Sequence, residues 1–253
     1  MTRLTNPFEG SMMPVITFAN TKGGAGKTTA VLLVATELAR MGYRVSVLDA
    51  DPQQWITRWF EAATAESRKN LSVVTYVTMG TIDGHVAEER GRSDYVLIDL
   101  PGSRNSLLAK AVGYSDHVLI PVQGSAMDAQ GGANVIELLQ YLEDKADIRI
   151  AHSVVLTRVN SMVTTRALIA VKDLLAKRRV DVLDTPIIER SAYRDIFGCG
   201  ETLYTMDARK VSNLEKAQEN ARALGREIVQ RVAAKARKAQ TAETVRQRLL
   251  SAA

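Results

Sequence analysis

The sequence predicts a doubly wound, mostly parallel α/β sheet, and two observations carry the prediction. Short runs rich in Val, Ile and Leu alternate with stretches of helical periodicity along the chain, which is the pattern of successive βα units. Between the first such run, at residues 15–18, and the first helical stretch stands Lys22-Gly23-Gly24-Ala25-Gly26-Lys27-Thr28-Thr29. A glycine-rich turn from strand to helix exposes backbone N–H groups, and the helix N-terminus adds partial positive charge, so the segment reads as a phosphate cradle of the P-loop kind. Gly23, Gly24 and Gly26 let the backbone come close to a ligand. Lys27 supplies a point charge for β- and γ-phosphate oxygens, and the Thr28 hydroxyl is placed to ligate Mg²⁺. The frame from Thr21 to Thr28 departs from the ordinary G-x-x-x-x-G-K-[ST] pattern at its first position, and an extra lysine stands at Lys22.

The elements follow in order. After the cradle, Val31, Val34, Ala35, Leu38 and Ala39 give residues 28–40 a helical spacing. The next apolar run, 45–49, ends in Asp49-Ala50-Asp51-Pro52-Gln53, and Trp55 and Trp59, four apart, share a helix face as packing or dimer contacts. A run at 73–77 precedes one at 95–99, which ends in Asp99-Leu100-Pro101-Gly102. Carboxylates at the C-terminal ends of parallel strands reach the crevice where such sheets bind ligands. Asp49, Asp51, Asp99 and the Thr28 hydroxyl can therefore surround one magnesium ion; an aspartate after a strand also commonly caps the following helix. Residues 101–106 read as a switch loop, with Gly102 letting the backbone reorient. Runs at 117–121, 153–157 and 186–188 complete seven strands. From Ser212 the chain reads as one long helix with an apolar stripe, Leu214, Ala217, Ala221, Leu224, Ile228 and Val232, and with Arg222, Arg226, Arg231, Lys235, Arg237 and Lys238 elsewhere on its surface.

With 253 residues and 46% hydrophobic content, the chain can bury one sizeable core, and residues 1–253 are expected to form a single domain with a short arm at 1–13 and a basic helical region at 212–253. Cys199 is the one cysteine, which excludes an intramolecular disulfide and fits a reducing cytoplasm. His85, His117 and His152 lie far apart, against a zinc site. No apolar run approaches the ~18 residues of a spanning helix, and no cleavable leader is evident. Charge is uneven: residues 163–253 carry 18 Lys and Arg against 11 Asp and Glu, a balance of +7, whereas 1–162 carry 15 against 17, or −2. That asymmetry predicts a basic face or tail, with Lys177, Arg178 and Arg179 or Arg222, Arg226 and Arg231 as candidates to contact DNA phosphates. No Asn-Lys-x-Asp guanine motif occurs; the run near 157 ends Leu156-Thr157-Arg158-Val159, so ATP is expected over GTP.

On Lys22–Thr29, on Asp49-x-Asp51-Pro52-Gln53 and on Asp99 followed by Pro101-Gly102, the chain resembles the deviant Walker A ATPases of the ParA and MinD type. The stretch Thr185-Pro186-Ile187-Ile188-Glu189-Arg190-Ser191 through Glu201-Thr202-Leu203 is similar to the late base-binding loop and helix of the small ParA proteins. Trp55-Ile56-Thr57-Arg58-Trp59 is similar to small plasmid partition ATPases and to the VirC1 group of conjugative DNA transfer. The resemblance implies an ATPase using ATP and Mg²⁺. Lys22 would be the signature lysine reaching the partner's phosphates in an ATP sandwich homodimer; Asp51 would orient or activate water at the metal site, and Asp99 would hold magnesium through water. Pro186, Ile187 and Ile188, with Glu189, would contact the base, and Arg158 would stack on it. Implied partners are a second copy, nonspecific DNA and a small ParB-type DNA-binding protein, in a cytoplasmic, nucleoid-associated setting. Three roles stay open: DNA segregation, a VirC1-like ATP switch in DNA transfer, and a MinD-like positioning ATPase, the last disfavoured by a C-terminus without aromatic anchors. A first strand near residue 15 leaves no room for the N-terminal helix-turn-helix domain of larger ParA proteins. A single cysteine sets aside the nitrogenase iron protein, whose subunits each need two.

Overall fold

The computed structural model describes residues 13–124 and 126–251, without the side chains of 126–128 and 235–251. Its centre is one sheet of six strands: β1 Val15–Phe18, β2 Val45–Asp49, β3 Leu71–Val74, β4 Tyr95–Asp99, β5 His117–Gln123 and β6 Ala151–Thr157. The order is β3-β2-β4-β1-β5-β6, and every pairing is parallel. The chain winds outward from β1 in both directions, so the ends of β1, β4 and β2 border the crevice where the winding reverses.

A parallel sheet buried on both faces needs strands apolar on both sides. Ile16, Phe18, Val45, Val47 and Leu97 face one core with α1 (Lys27–Arg40), α2 (Trp55–Ala62), α7 (Ala192–Cys199) and α8 (Leu214–Ser251). Val15, Leu48, Val96, Ile98 and Ile120 face the other, with α3 (Ile82–Arg90), α4 (Ser106–Gly113), α5 (Ala126–Ala146) and α6 (Arg166–Lys177). The six apolar residues expected along α8 are all buried in the first core. They lie on α1, which is buried on every side from Ala30 to Ala39, including Leu32 and Leu33 outside its predicted stripe. Gly225 is the contact point. A Cβ there would lie 2.9 Å from Glu37 Cβ on α1.

Two strand expectations change. The third strand runs Leu71–Val74 instead of 73–77, because Asn70 and Tyr76 adopt positive φ on either side of it (61° and 55°) and end the extended run. Residues 186–188 form no strand. Pro186 has no N–H to give a ladder, and the segment makes only an isolated bridge from Ile188 to Val159 beside β6. Among the described residues, no helix is long and apolar enough to cross a membrane.

Candidate functional site

The turn from β1 to α1 wraps the helix N-terminus with Gly24 and Gly26 at φ 77° and 90°. A side chain at Gly26 would be strained twice, by that φ and by Thr157, whose side chain lies 3.3 Å from where its Cβ would stand. The loop is held from three neighbouring segments. Thr157 Oγ1 donates to the Ala25 carbonyl (2.9 Å), Gln123 Nε2 donates to the Gly24 carbonyl, and Asn20 Nδ2 donates to the Pro121 carbonyl (2.7 Å) while its Oδ1 accepts the Lys22 N–H (2.8 Å). α5 seals the remaining side. Thr21 N–H donates to the Gly131 carbonyl (3.3 Å), Asn134 Nδ2 donates to Thr21 Oγ1 (2.9 Å), and a Cβ on Gly131 would overlap Asn20 Oδ1. Sequence reasoning misses these braces, which lie about a hundred residues from the cradle; a polar residue closing the apolar stretch of each strand, Gln123 after Val122 and Thr157 after Leu156, is the signal that could have found them.

Lys27 is buried in the cradle with its Nζ donating to the Lys22 carbonyl (3.2 Å). Burial pulls its pKa down, and the Asp99 and Asp51 carboxylates pull it back up. Asp99 stands at the end of β4, fully buried, with neither carboxylate oxygen in a hydrogen bond of normal geometry. Burial pushes its pKa up to about 8; the Thr28 hydroxyl and Lys27 act against that rise, while Asp49 and Asp51 add to it. An orphaned buried carboxylate beside a threonine hydroxyl fits a hard cation that takes oxygen ligands and shares them with phosphates.

Asp49, in register with Asp99 across β2 and β4, does different work. Its Oδ2 accepts the Thr57 N–H (2.9 Å) and hydroxyl (2.8 Å), so it anchors the first turn of α2, while its buried Oδ1 has no hydrogen-bond partner of normal geometry among the described residues. Asp51 lies further out, its Oδ1 accepting the Gln53 N–H (2.9 Å), and lines a cleft of about 460 Å³ with Gly23, Lys27, Thr28 and Gly102. A Cβ on Gly102 would lie 2.5 Å from the Gly23 nitrogen, so glycine is required there because the loop at 101–106 presses on the cradle backbone. The two tryptophans divide: Trp59 is buried with Nε1 donating to the Glu201 carbonyl (3.0 Å), whereas Trp55, 45% exposed, lines the cleft under Arg58.

A second hollow opens from the same turn, lined by Gly26, Thr29, Thr157, Arg158, Ile187, Ile188 and, beyond them, Arg190 and Tyr193. Arg158 borders both hollows in a left-handed conformation, φ 51°. Pro186 stands behind the wall, its carbonyl accepting from Asn220 Nδ2 (2.8 Å), so it does not face the hollow with Ile187 and Ile188.

The basic candidates separate equally clearly. Arg231 donates to Asp181 (2.6 Å), Asp184 (3.4 Å) and Glu227 (3.3 Å) and ties α8 to the loop before residue 186, which removes it from the set available to DNA. Arg226 is exposed and Arg222 half-buried. Lys177, Arg178 and Arg179, at the end of α6, are all exposed. The side chains of Lys235, Arg237 and Lys238 lie outside the described residues, as does the arm at 1–12.

The VirC1 protein family model matches residues 13–240. Protein ParA of Rhizobium radiobacter is 33% identical over 220 residues, covering 87% of this chain and 98% of that one. Protein virC1 of Rhizobium rhizogenes is 28% identical, covering 72% and 79%. The fold is similar to that of a Cyanothece McdA variant in complex with ATP, with a TM-score of 0.68 over 87% of this chain and 97% of that one, at 17% identity.

Proposed function

Because the chain belongs to the VirC1 family, and with it to the ParA and MinD type of P-loop ATPase, we propose that it hydrolyses ATP with Mg²⁺, forms a homodimer over the bound nucleotide, and in that state binds DNA without sequence preference to segregate or position a replicon. The observation that carries the reading is Asp99, a fully buried carboxylate with unpartnered oxygens, set beside Thr28 and Lys27 at the mouth of a braced glycine turn.

Phosphoryl transfer demands positioning and charge neutralisation more than covalent chemistry, and each residue has a part in that. The cradle N–H groups and Lys27 hold the phosphate oxygens. Thr28 and Asp99 hold magnesium, which when bound neutralises phosphate charge. Asp51, aimed by the Gln53 N–H, orients the attacking water at the cleft rim. Lys22, whose backbone sits between Asn20 and Gly102, is the lysine that reaches the second copy's phosphates. Ile187, Ile188 and Arg158 border the base. DNA phosphates fall to Lys177, Arg178 and Arg179, with Arg222 and Arg226 secondary, and a small ParB-type protein would couple the ATPase to its cargo. The setting is the cytoplasm, at the nucleoid.

A second reading, an ATP-driven assembly switch in conjugative DNA transfer, is favoured by the match to the VirC1 family over nearly the whole chain. Mobility shift of unrelated duplexes with Mg²⁺-ATP at low salt separates the two. The segregation reading expects a shift that weakens as salt rises, and expects joint replacement of Lys177, Arg178 and Arg179 by alanine to flatten log K against log salt by about 0.9 for each phosphate no longer neutralised. Absence of any shift for the wild-type protein rejects the DNA-positioning role and leaves the assembly switch.

A further inference from the structure

Two neighbouring helices of the second layer carry opposite charge. α5 and α6 pack side by side, and because each follows a strand of the parallel sheet they run in one direction and end at the same edge, where the strands begin. Residues 137–147, the end of α5 and the turn after it, hold four acids against Lys145, or −3; residues 166–179, α6 and its end, hold five Lys and Arg against Asp173, or +4. Each helix keeps one stripe on the core, Val135, Ile136 and Leu139 on α5 and Leu168, Val171 and Leu175 on α6. The opposite face of α5 presents Glu137, Tyr141 and Asp144, spaced by four and three, and that of α6 presents Arg166, Ile169 and Lys177, with Leu174 beside them. Tyr141 is 61% exposed, Ile169 47% and Leu174 41%. Apolar area of this kind, rimmed by polar residues, is the mark of a protein–protein contact. Among the described residues, Glu137, Asp144, Lys177, Arg178 and Arg179 enter no ion pair, while Glu143 is engaged by Arg149 (3.0 Å).

We propose that this two-helix face docks a second copy of the chain about a two-fold axis parallel to α5 and α6. Such an axis turns the face over and exchanges its two helices without reversing their direction, so α5 of each copy lies along α6 of the other and the contact closes as a dimer. Since both helices end at one edge of the sheet, Asp144 and Asp147 come opposite Lys177, Arg178 and Arg179 of the second copy, and Tyr141 comes opposite Ile169 and Leu174. The face is complementary to itself in sign, and that identifies the occupant as the chain itself. The cradle and its hollows lie at the other edge, where the strands end, so the contact is separate from a nucleotide sandwich and needs no nucleotide. DNA drawn to Lys177, Arg178 and Arg179 would compete with the second copy for the same cations.

Sedimentation velocity of the full-length protein without nucleotide tests the proposal. A monomer–dimer equilibrium is expected at about 50 mM salt, with association weakened by about tenfold or more at about 500 mM, because salt screens exposed charges. Two charge-swapped variants sharpen the test: Glu137→Lys with Asp144→Lys makes both helix faces positive, and Lys177→Glu with Arg178→Glu and Arg179→Glu makes both negative. Each alone is expected to stay monomeric. Mixed in equal amounts they are expected to form a heterodimer, since both helix pairings are then again of opposite sign, a rescue that misfolded variants could not give. Carbodiimide coupling of mixed isotopically light and heavy wild-type protein needs no variant and is expected to join Asp144 of one copy to Lys177 of the other. The proposal is overturned by a wild type that stays monomeric at low salt, by swapped variants that dimerise as the wild type does, by a mixture of folded variants that fails to associate, or by coupling that leaves Asp144 and Lys177 unjoined between copies.

Discussion

The proposed phosphate half of the cleft comes from a single unbroken run, Lys22 to Thr29, steadied by side chains from β5, β6 and α5. The proposed base half has no such run: Arg158 follows β6, Ile187 and Ile188 come after α6, Tyr193 lies in the first turn of α7, and Asn220 on α8 holds the 186–188 segment from behind. The difference lies in where the binding groups come from. Phosphate is bound by backbone N–H groups and one lysine, which any tight glycine turn at a helix N-terminus can supply from local sequence. A base needs a flat slot and a directional edge, and these are assembled from segments that meet only once α8 has packed into the first core.

The largest break of that contrast is Lys27→Ala. Loss of a buried charge on phosphate is expected to cost about 3 kcal/mol, roughly a hundredfold in affinity, for ATP and tripolyphosphate alike. Isothermal titration with both ligands checks it, and retention of tripolyphosphate binding would show that the two halves are not separable. Next is Gly102→Ala, whose new Cβ meets the cradle backbone at Gly23. Overpacking of that kind costs about 1–3 kcal/mol. The expected outcome is ATP turnover slowed several-fold more than ADP binding is weakened, read by phosphate release beside ADP titration. The smallest effect belongs to Arg231→Ala, which removes the partly exposed tie between α8 and Asp181, Asp184 and Glu227. A loss of about 1 kcal/mol in urea unfolding is expected, with the salt slope of DNA binding unchanged because that guanidinium is already spoken for.

The same contrast explains what is legible in the sequence. The cradle, Lys27, Thr28 and Asp99 can be read directly, because spacing within one strand–turn–helix unit fixes their chemistry. The parallel α/β class follows from alternation, and the stripe of α8 from its period. The hold of Asp49 on α2 is hidden because its partner, Thr57, lies across a left-handed turn at Gln54, where helix periodicity gives no warning. Residues 186–188 carry apolar side chains without a donor at Pro186, and the missing N–H outweighs them. Asn220 leaves a faint trace: an asparagine inside a long helix, beside the buried Ala217 and Ala221, is a poor helix former in a place where alanine would do. Only the pairing of α8 with the base loop shows what it holds.

The burial of α1 on all sides has a mechanical consequence. A helix with one wet face can yield to a push at its tip by sliding toward solvent; α1, enclosed from Ala30 to Ala39 by sheet and α8, has no such outlet. Interiors packed to crystal density are stiff, so a load applied at Lys27 and Thr28 acts as on a piston in a closed sleeve. Its travel runs along an axis about 20 Å long for the residues from Lys27 to Arg40 and bears sideways on α8 where Gly225 meets Glu37, without a bulky side chain between them to cushion the thrust.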